Sequence, residues 1–308
     1  MRIAFAGTPS VAIPTLNSLL NSEHEVVCVI TQPPAPQGRS KTLVPSAVAE
    51  FAKSKNLSIF EPVSINTQES LDRLKSLNAD IAVVVAYGQL LKPQTLEVFP
   101  HGWINAHFSL LPAWRGAAPV QAAIIHGDEL TGVTTFQLES GMDTGPIFGQ
   151  VTTEIKSDET AGQLLERLSN LGADLVLKTL EAISTGTSIP VTQSESEVSY
   201  APKLLPKDGQ INWAHPALAI SRHIRGFTPN PGAWTVLDDN RIEVATVEIC
   251  DHTELSPGAL RIEKNDVYVG TGSTDVKLTD VKPAGKGWMQ ASAWARGLRN
   301  SNGAFKNA

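Results

Sequence analysis

Three side chains could do chemistry together in this sequence. Asn105 and His107 stand two residues apart in Trp103-Ile104-Asn105-Ala106-His107. Alternate residues of a strand share a face, so this run puts an amide and an imidazole against one small substrate. Such a pair can stabilise an oxyanion and move a proton without a metal or a covalent nucleophile. Asp143 follows in Gly141-Met142-Asp143-Thr144-Gly145. Alone it reads as a turn aspartate. If its loop reaches His107, the carboxylate raises the imidazole pKa and fixes the ring, and a cationic His107 is expected.

Other candidates weigh less on chemistry alone. Gly7-Thr8-Pro9 occupies a first strand-to-helix turn, but Pro9 and Val11 break the G-x-G-x-x-G fingerprint of a dinucleotide site. The expectation there is a turn, with Thr8 as cap and Pro9 at the first helical position. Arg39 and Lys41 lie in a long Pro-rich loop after the second strand, a place where solvated loops and substrate clamps both occur. Trp114-Arg115-Gly116 reads equally as surface packing or a substrate wall. Arg222, His223 and Arg225 place positive charge on a late helix, where a solvated face is the favoured reading and phosphate contact the minority one.

Positioning these groups falls to an alternation of strands and helices. Residues 2–6, 26–31 and 81–86 are apolar runs that fit a parallel sheet covered on both faces. Helical patterns fall near 10–21, 45–55, 67–77 and 117–126, with Thr67 as an N-cap of the third. A strand is expected over 133–138, then a helix over 158–185 capped by Ser157 or Asp158, with Leu164, Leu165, Leu168 and Leu171 at helical spacing. This alternation implies a doubly wound, mostly parallel α/β domain.

The pattern breaks at residues 186–209, which read as a connector. A helix over about 216–226 follows, then short β-like segments at 233–237, 241–249, 258–263, 266–270 and 274–282. Closely spaced short strands suggest a small C-terminal β-barrel or sandwich. The expected partition is a catalytic domain over 1–188, a linker over 189–207 and a β domain over 208–308.

The chain has 308 residues, enough for two domains. No apolar run approaches the ~20 residues that span a bilayer, and the N-terminus lacks a signal-peptide pattern. A cytoplasmic location is therefore expected. Cys28 and Cys250 lie far apart in apolar stretches, which predicts buried reduced thiols rather than a disulfide or a zinc site. A net charge of −6 argues against broad nucleic-acid binding. Residues 1–202 hold 12 cationic and 20 anionic side chains, and residues 203–308 hold 13 and 11. A polyanion would thus dock more cheaply on the C-terminal part.

The motifs also resemble a family, the formyltransferases that use 10-formyltetrahydrofolate, and within it the branch acting on initiator methionyl-tRNA. The resemblance rests on Phe5–Pro9, Thr31-Gln32-Pro33, Val84–Gly88, Asn105–Pro119, Gly141–Gly145, Ser199–Leu204 and Gly209–Trp213, so it spans both expected domains. It implies Asn105, His107 and Asp143 as a catalytic trio. It further implies folate contacts from Val85, Tyr87, Gly88 and Leu90, and from the turn Ser109, Leu110, Leu111, Pro112. Arg39 would belong to a basic loop that reads the tRNA end, with Lys41, Arg115, Arg222 and Arg225 as further tRNA contacts. The co-substrate would be 10-formyltetrahydrofolate, with no metal, the C-terminal barrel would be OB-like, and the protein a monomer. Two features depart from the family pattern. The 34–42 loop carries fewer cations than is usual, and Ala113 stands where Arg is common, which predicts a shallower salt dependence of tRNA binding. The rival readings are a formyltransferase for an amino-sugar nucleotide and a formyltetrahydrofolate hydrolase.

Overall fold

Ile81–Val85 is Ile-Ala-Val-Val-Val, and all five residues are buried, as a strand covered on both faces requires. In the computed structural model, which describes residues 1–37, 41–298 and 303–306, this strand sits in the middle of a seven-stranded sheet. The order is Ile147–Glu154, Leu130–Gln137, Trp103–His107, Ile81–Val85, Arg2–Gly7, Glu25–Ile30, Ile59–Phe60. The last five pair in parallel, whereas Leu130–Gln137 pairs antiparallel with both its neighbours, Trp103–His107 and Ile147–Glu154. The mostly parallel doubly wound sheet expected from the alternation is present, with an antiparallel edge.

Helices Ile13–Leu20, Ala47–Ser54 and Gln68–Ser76 follow the expected pattern. Thr67 caps the third, accepting from Ser70 N at 3.2 Å. Two capping expectations need correction. Helix Ala161–Ser184 is capped not by Ser157 or Asp158 but by a box at Thr160: its N–H donates to Gln163 Oε1 at 2.9 Å, and its Oγ1 accepts from Gln163 N at 3.4 Å. Thr8 caps nothing. Pro9 is the residue before a 3₁₀ turn, Ser10–Ala12, and the Thr8 hydroxyl is used elsewhere.

Two compact units make up the chain: residues 1–119, 130–154 and 165–200 form one, and residues 120–129, 155–164 and 201–308 the other. In the second, Trp213, Ile220, Ile224 and Phe227 join Val244, Val269, Val276 and Val281 in one core. The single strands expected at 241–249 and 274–282 are each two strands. Asn240–Val244 and Asp280–Pro283 lie in one four-stranded antiparallel sheet, Val247–Ile249 and Val276–Leu278 in another. The chain passes between sheets at Thr246 and Thr279, whose hydroxyls are 2.5 Å apart. Strands that switch sheets at such corners build small barrels and orthogonal sandwiches. Both cysteines are free; Cys28 is buried, but Cys250 is only partly so, which corrects the expectation of two buried thiols. No helix among the described residues is long and apolar enough to cross a membrane.

Candidate active site

A doubly wound sheet opens a crevice where its strand order reverses, beyond the carboxyl ends of the two strands concerned. Here those strands are Arg2–Gly7 and Ile81–Val85. Thr8 Oγ1 donates to the Tyr87 carbonyl at 2.7 Å, which ties the two strand ends together. Gln32 donates to the same carbonyl, and Gln89 donates to Gln32 and to the Pro62 carbonyl. Ala86 (φ +49°) and Gly88 (φ +89°) adopt left-handed backbone in this loop. The Tyr87 hydroxyl is buried without a partner, and burial pushes its pKa up.

One strand over, Trp103–His107 presents Asn105 and His107 as foreseen. Asn105 pairs with Val84 on one side and Phe136 on the other, and its Oδ1 is buried with no hydrogen-bond partner. An unsatisfied buried carboxamide oxygen costs free energy unless a ligand supplies a donor. His107 Nε2 lies 2.9 Å from the Trp114 carbonyl. A carbonyl can only accept, so Nε2 holds a hydrogen and Nδ1 is the atom that titrates. Nδ1 faces Asp143 Oδ2 at 3.7 Å, too far for a hydrogen bond. The carboxylate is instead held by the Gly116 N–H at 2.8 Å.

Burial dominates the electrostatics of the ring. Desolvation lowers the His107 pKa below its usual value, against the upward pull of Asp143 and the Trp114 carbonyl. The imidazole is therefore neutral near pH 7, contrary to the cationic ring expected from a neighbouring carboxylate. Its Nδ1 lone pair is available as a base.

Two lobes of one cleft meet at these groups. The larger, about 410 Å³, is lined by Val84, Ala86–Leu91, Leu96 and the 138–143 segment. The smaller, about 320 Å³, is lined by His107, Phe108, Gly116, Ala117 and Pro119. Ala86, Gly88, Asn105 and Asp143 line both. Tyr87, Gly88 and Leu90 thus reach the larger lobe, while Val85 lies behind it, fully buried. Ser109, Leu110, Leu111 and Pro112 line neither of these lobes. Ser109 donates to the Ala113 carbonyl, and Thr134 braces the turn by donating to the Ser109 carbonyl and accepting from Leu111 N.

The candidate tRNA residues Lys41 and Arg115 belong to the first unit, Arg222 and Arg225 to the second. Arg39 lies outside the described residues. Lys41 is exposed at the end of a short hairpin between Ala35–Gln37 and Thr42–Val44. Arg115 is buried, with Nε and Nη2 on Gln193 Oε1. In the second unit Arg222 packs over Gly127, where a Cβ would strike its guanidinium. Arg225 is buried and donates to the Glu159 carbonyl at 3.0 Å. Gln193 and Ser199 are site residues that no sequence signal singled out, although Ser199 falls within a segment that carries the family resemblance.

Fold and cleft together define a class: the chain belongs to the formyl transferase family, whose profile matches residues 1–180, with the profile of the family's C-terminal domain matching residues 203–299. Two relatives that match nearly its full length are each named methionyl-tRNA formyltransferase. That of Acidothermus cellulolyticus is 49% identical over 321 residues, covering 99% of both chains. That of Salinispora arenicola is 49% identical over 300 residues, covering 97% of both. A sugar 3N-formyl transferase solved in the presence of dTDP and 5-N-formyl-THF superposes with a TM-score of 0.68 at 18% identity, over 93% of this chain and 98% of that one. At that identity the likeness speaks for the fold alone.

Proposed function

We propose that this protein transfers the formyl group of 10-formyltetrahydrofolate to the α-amine of initiator methionyl-tRNA, in the cytoplasm. The observation that carries the reading is that Asn105 and Asp143 line both lobes and His107 lines the smaller one beside them. One lobe suits the folate, with the exposed apolar side chains of Leu90 and Met142 at its rim. The other suits the aminoacyl end. Both fall in the size range of small-molecule sites.

The residues divide the labour by chemistry. The Asn105 amide donates to the formyl oxygen as negative charge develops there, and its unpaired Oδ1 accepts from the attacking amine. A free α-amine has a pKa of about 7.7–8.0, and an adjacent ester lowers it, so the neutral nucleophile is available without an activated Ser or Cys. As the new C–N bond forms, the amine gives its proton to Nδ1 of His107. Asp143 stabilises the resulting imidazolium. That proton then passes to N10 as the old C–N bond breaks, which returns the ring to its neutral state.

The test is to incubate the protein with labelled 10-formyltetrahydrofolate and methionyl-tRNA. The expected product carries the label on the methionyl amine. Label released as formate, or transferred only to an amino-sugar nucleotide, overturns the reading.

A further inference from the structure

Neither partner of the His107–Asp143 pair is held by its own strand or loop alone. Asp143 has φ +52°, a sparsely populated conformation that costs free energy unless its surroundings hold it. Its carbonyl accepts from Gln193 Nε2 at 2.7 Å, and the same amide donates to the Gly145 carbonyl at 2.8 Å. At its other end, Gln193 Oε1 accepts from Arg115 Nε at 3.1 Å and Nη2 at 2.7 Å. A guanidinium only donates and a carbonyl only accepts, so the amide has a single orientation, with both N–H donors and both lone pairs engaged. Gln193 is 7% exposed.

The far side of the imidazole is arranged in the same way. Trp114, whose carbonyl accepts the hydrogen bond from His107 Nε2, has φ +61°. Its N–H donates to Ser199 Oγ at 2.9 Å, and the next N–H, of Arg115, donates to the Ser199 carbonyl at 2.9 Å. Gln193 and Ser199 both come from the segment that reads in sequence as a connector. A segment that only joined two units would need none of these bonds.

We propose that this segment is a strap over the site and that Gln193 and Ser199 are positioning residues, Gln193 fixing Asp143 and Ser199 fixing Trp114, so that the Trp114 carbonyl stays on Nε2 of His107 and the Asp143 carboxylate stays in front of Nδ1. The inference rests on the reading of His107 as the base in formyl transfer. Small displacements matter at such a place: a shift of about 1 Å can cost on the order of 10²-fold in rate.

Gln193→Glu is the discriminating variant. It keeps the acceptor for Arg115, now charge-assisted, but turns a carboxylate oxygen toward two carbonyls, so the Asp143 loop must shift. The expected result is a fall in kcat of about tenfold or more, with KM for 10-formyltetrahydrofolate changed by less than about twofold. Ser199→Ala removes one acceptor and should cost about fivefold, the worth of one hydrogen bond. The second readout is the NMR titration of the His107 ring without substrate. The ring is faced by the Asp143 carboxylate, the Trp114 carbonyl and the Phe136 ring at 6.3 Å. Only the first of these is charged, so displacing it should move the midpoint down. A folded Gln193→Glu protein with wild-type kcat and an unmoved midpoint overturns the proposal. Should that variant fail to fold, Ser199→Ala decides by the same two measurements. The titration needs no acceptor, so a wild-type protein that failed to formylate methionyl-tRNA would sink the functional reading and still leave the strap to be judged.

Discussion

The two units use left-handed backbone for opposite ends. In the second, Asp238 (φ +46°) and Asp239 (φ +63°) form the two-residue loop between paired Leu237 and Asn240. Their positive φ angles are what a tight hairpin of that length demands, and both are exposed. In the first unit, Ala86, Trp114 and Asp143 take similar angles around the cleft, and hydrogen bonds from distant segments hold Trp114 and Asp143 there. Each such non-glycine residue costs of order 1–3 kcal/mol. Two buried polar groups show the same difference, although His223 Nε2 and the Nε atoms of Arg225, Arg241 and Arg261 in the second unit also lack hydrogen-bond partners. Asp275, fully buried in the second unit, accepts from Glu254 N at 3.1 Å and Leu255 N at 3.3 Å. Asn105 Oδ1, buried in the cleft, accepts from nothing. The hairpin satisfies its local geometry, whereas the cleft keeps strained backbone and an unmet acceptor at the point where a substrate would bind.

The contrast is sharpened first by removing the groups said to act. His107→Asn and Asp143→Asn should each nearly abolish turnover while folate binding, followed by fluorescence quenching, changes little. Near-normal kcat in either would leave the cleft with a structural role only. Asn105→Ala comes next. Losing one oxyanion donor costs about 10²–10³-fold in kcat, and thermal stability should hold or rise because the unpaired oxygen goes with it. A loss of stability without loss of rate would invert that assignment.

Acidification probes both units together. Burial lowers the pKa of His107 in the first and of His223 in the second, so each is neutral when folded, whereas the unfolded chain takes up a proton near pH 6.5. A depressed folded pKa means that this contribution to stability is complete above about pH 6.5 and is lost as pH falls toward the folded values. Urea denaturation between pH 7.5 and 5 should show the decline, and His223→Gln should make it shallower. An unchanged slope in that variant would argue that His223 is not held neutral. The smallest effect is expected at the hairpin. Replacing Asp238-Asp239 by Asn-Gly should stabilise by about 0.5–1 kcal/mol, because glycine takes positive φ without strain, and kcat should not change. A changed kcat would mean that the hairpin is not independent of the chemistry.

Much of the cleft was legible because its signals are local. Spacing two on a strand put Asn105 and His107 on one face, and apolar β-branched runs such as Ile81–Val85 announced the covered sheet. Short strands were harder. Ile59–Phe60 has only two residues, and the corners at Thr246 and Thr279 leave no break in the β pattern, so two pairs of strands read as two single ones. The Thr8 hydroxyl reads as a cap because sequence shows only its neighbours, not the Tyr87 carbonyl across the crevice.

By itself, the sequence determined which residues can do chemistry, that helices and a covered sheet must carry them, and where the pattern changes. Those are properties of side-chain type and period, which act over a few residues. Tertiary structure alone decided the rest. It brought Asp143 within 3.7 Å of Nδ1, set the ring neutral by burying it, and recruited Gln193 and Ser199 from a polar connector. Distances between segments 36 to 85 residues apart, and the water excluded from between them, are fixed only when the chain has closed on itself.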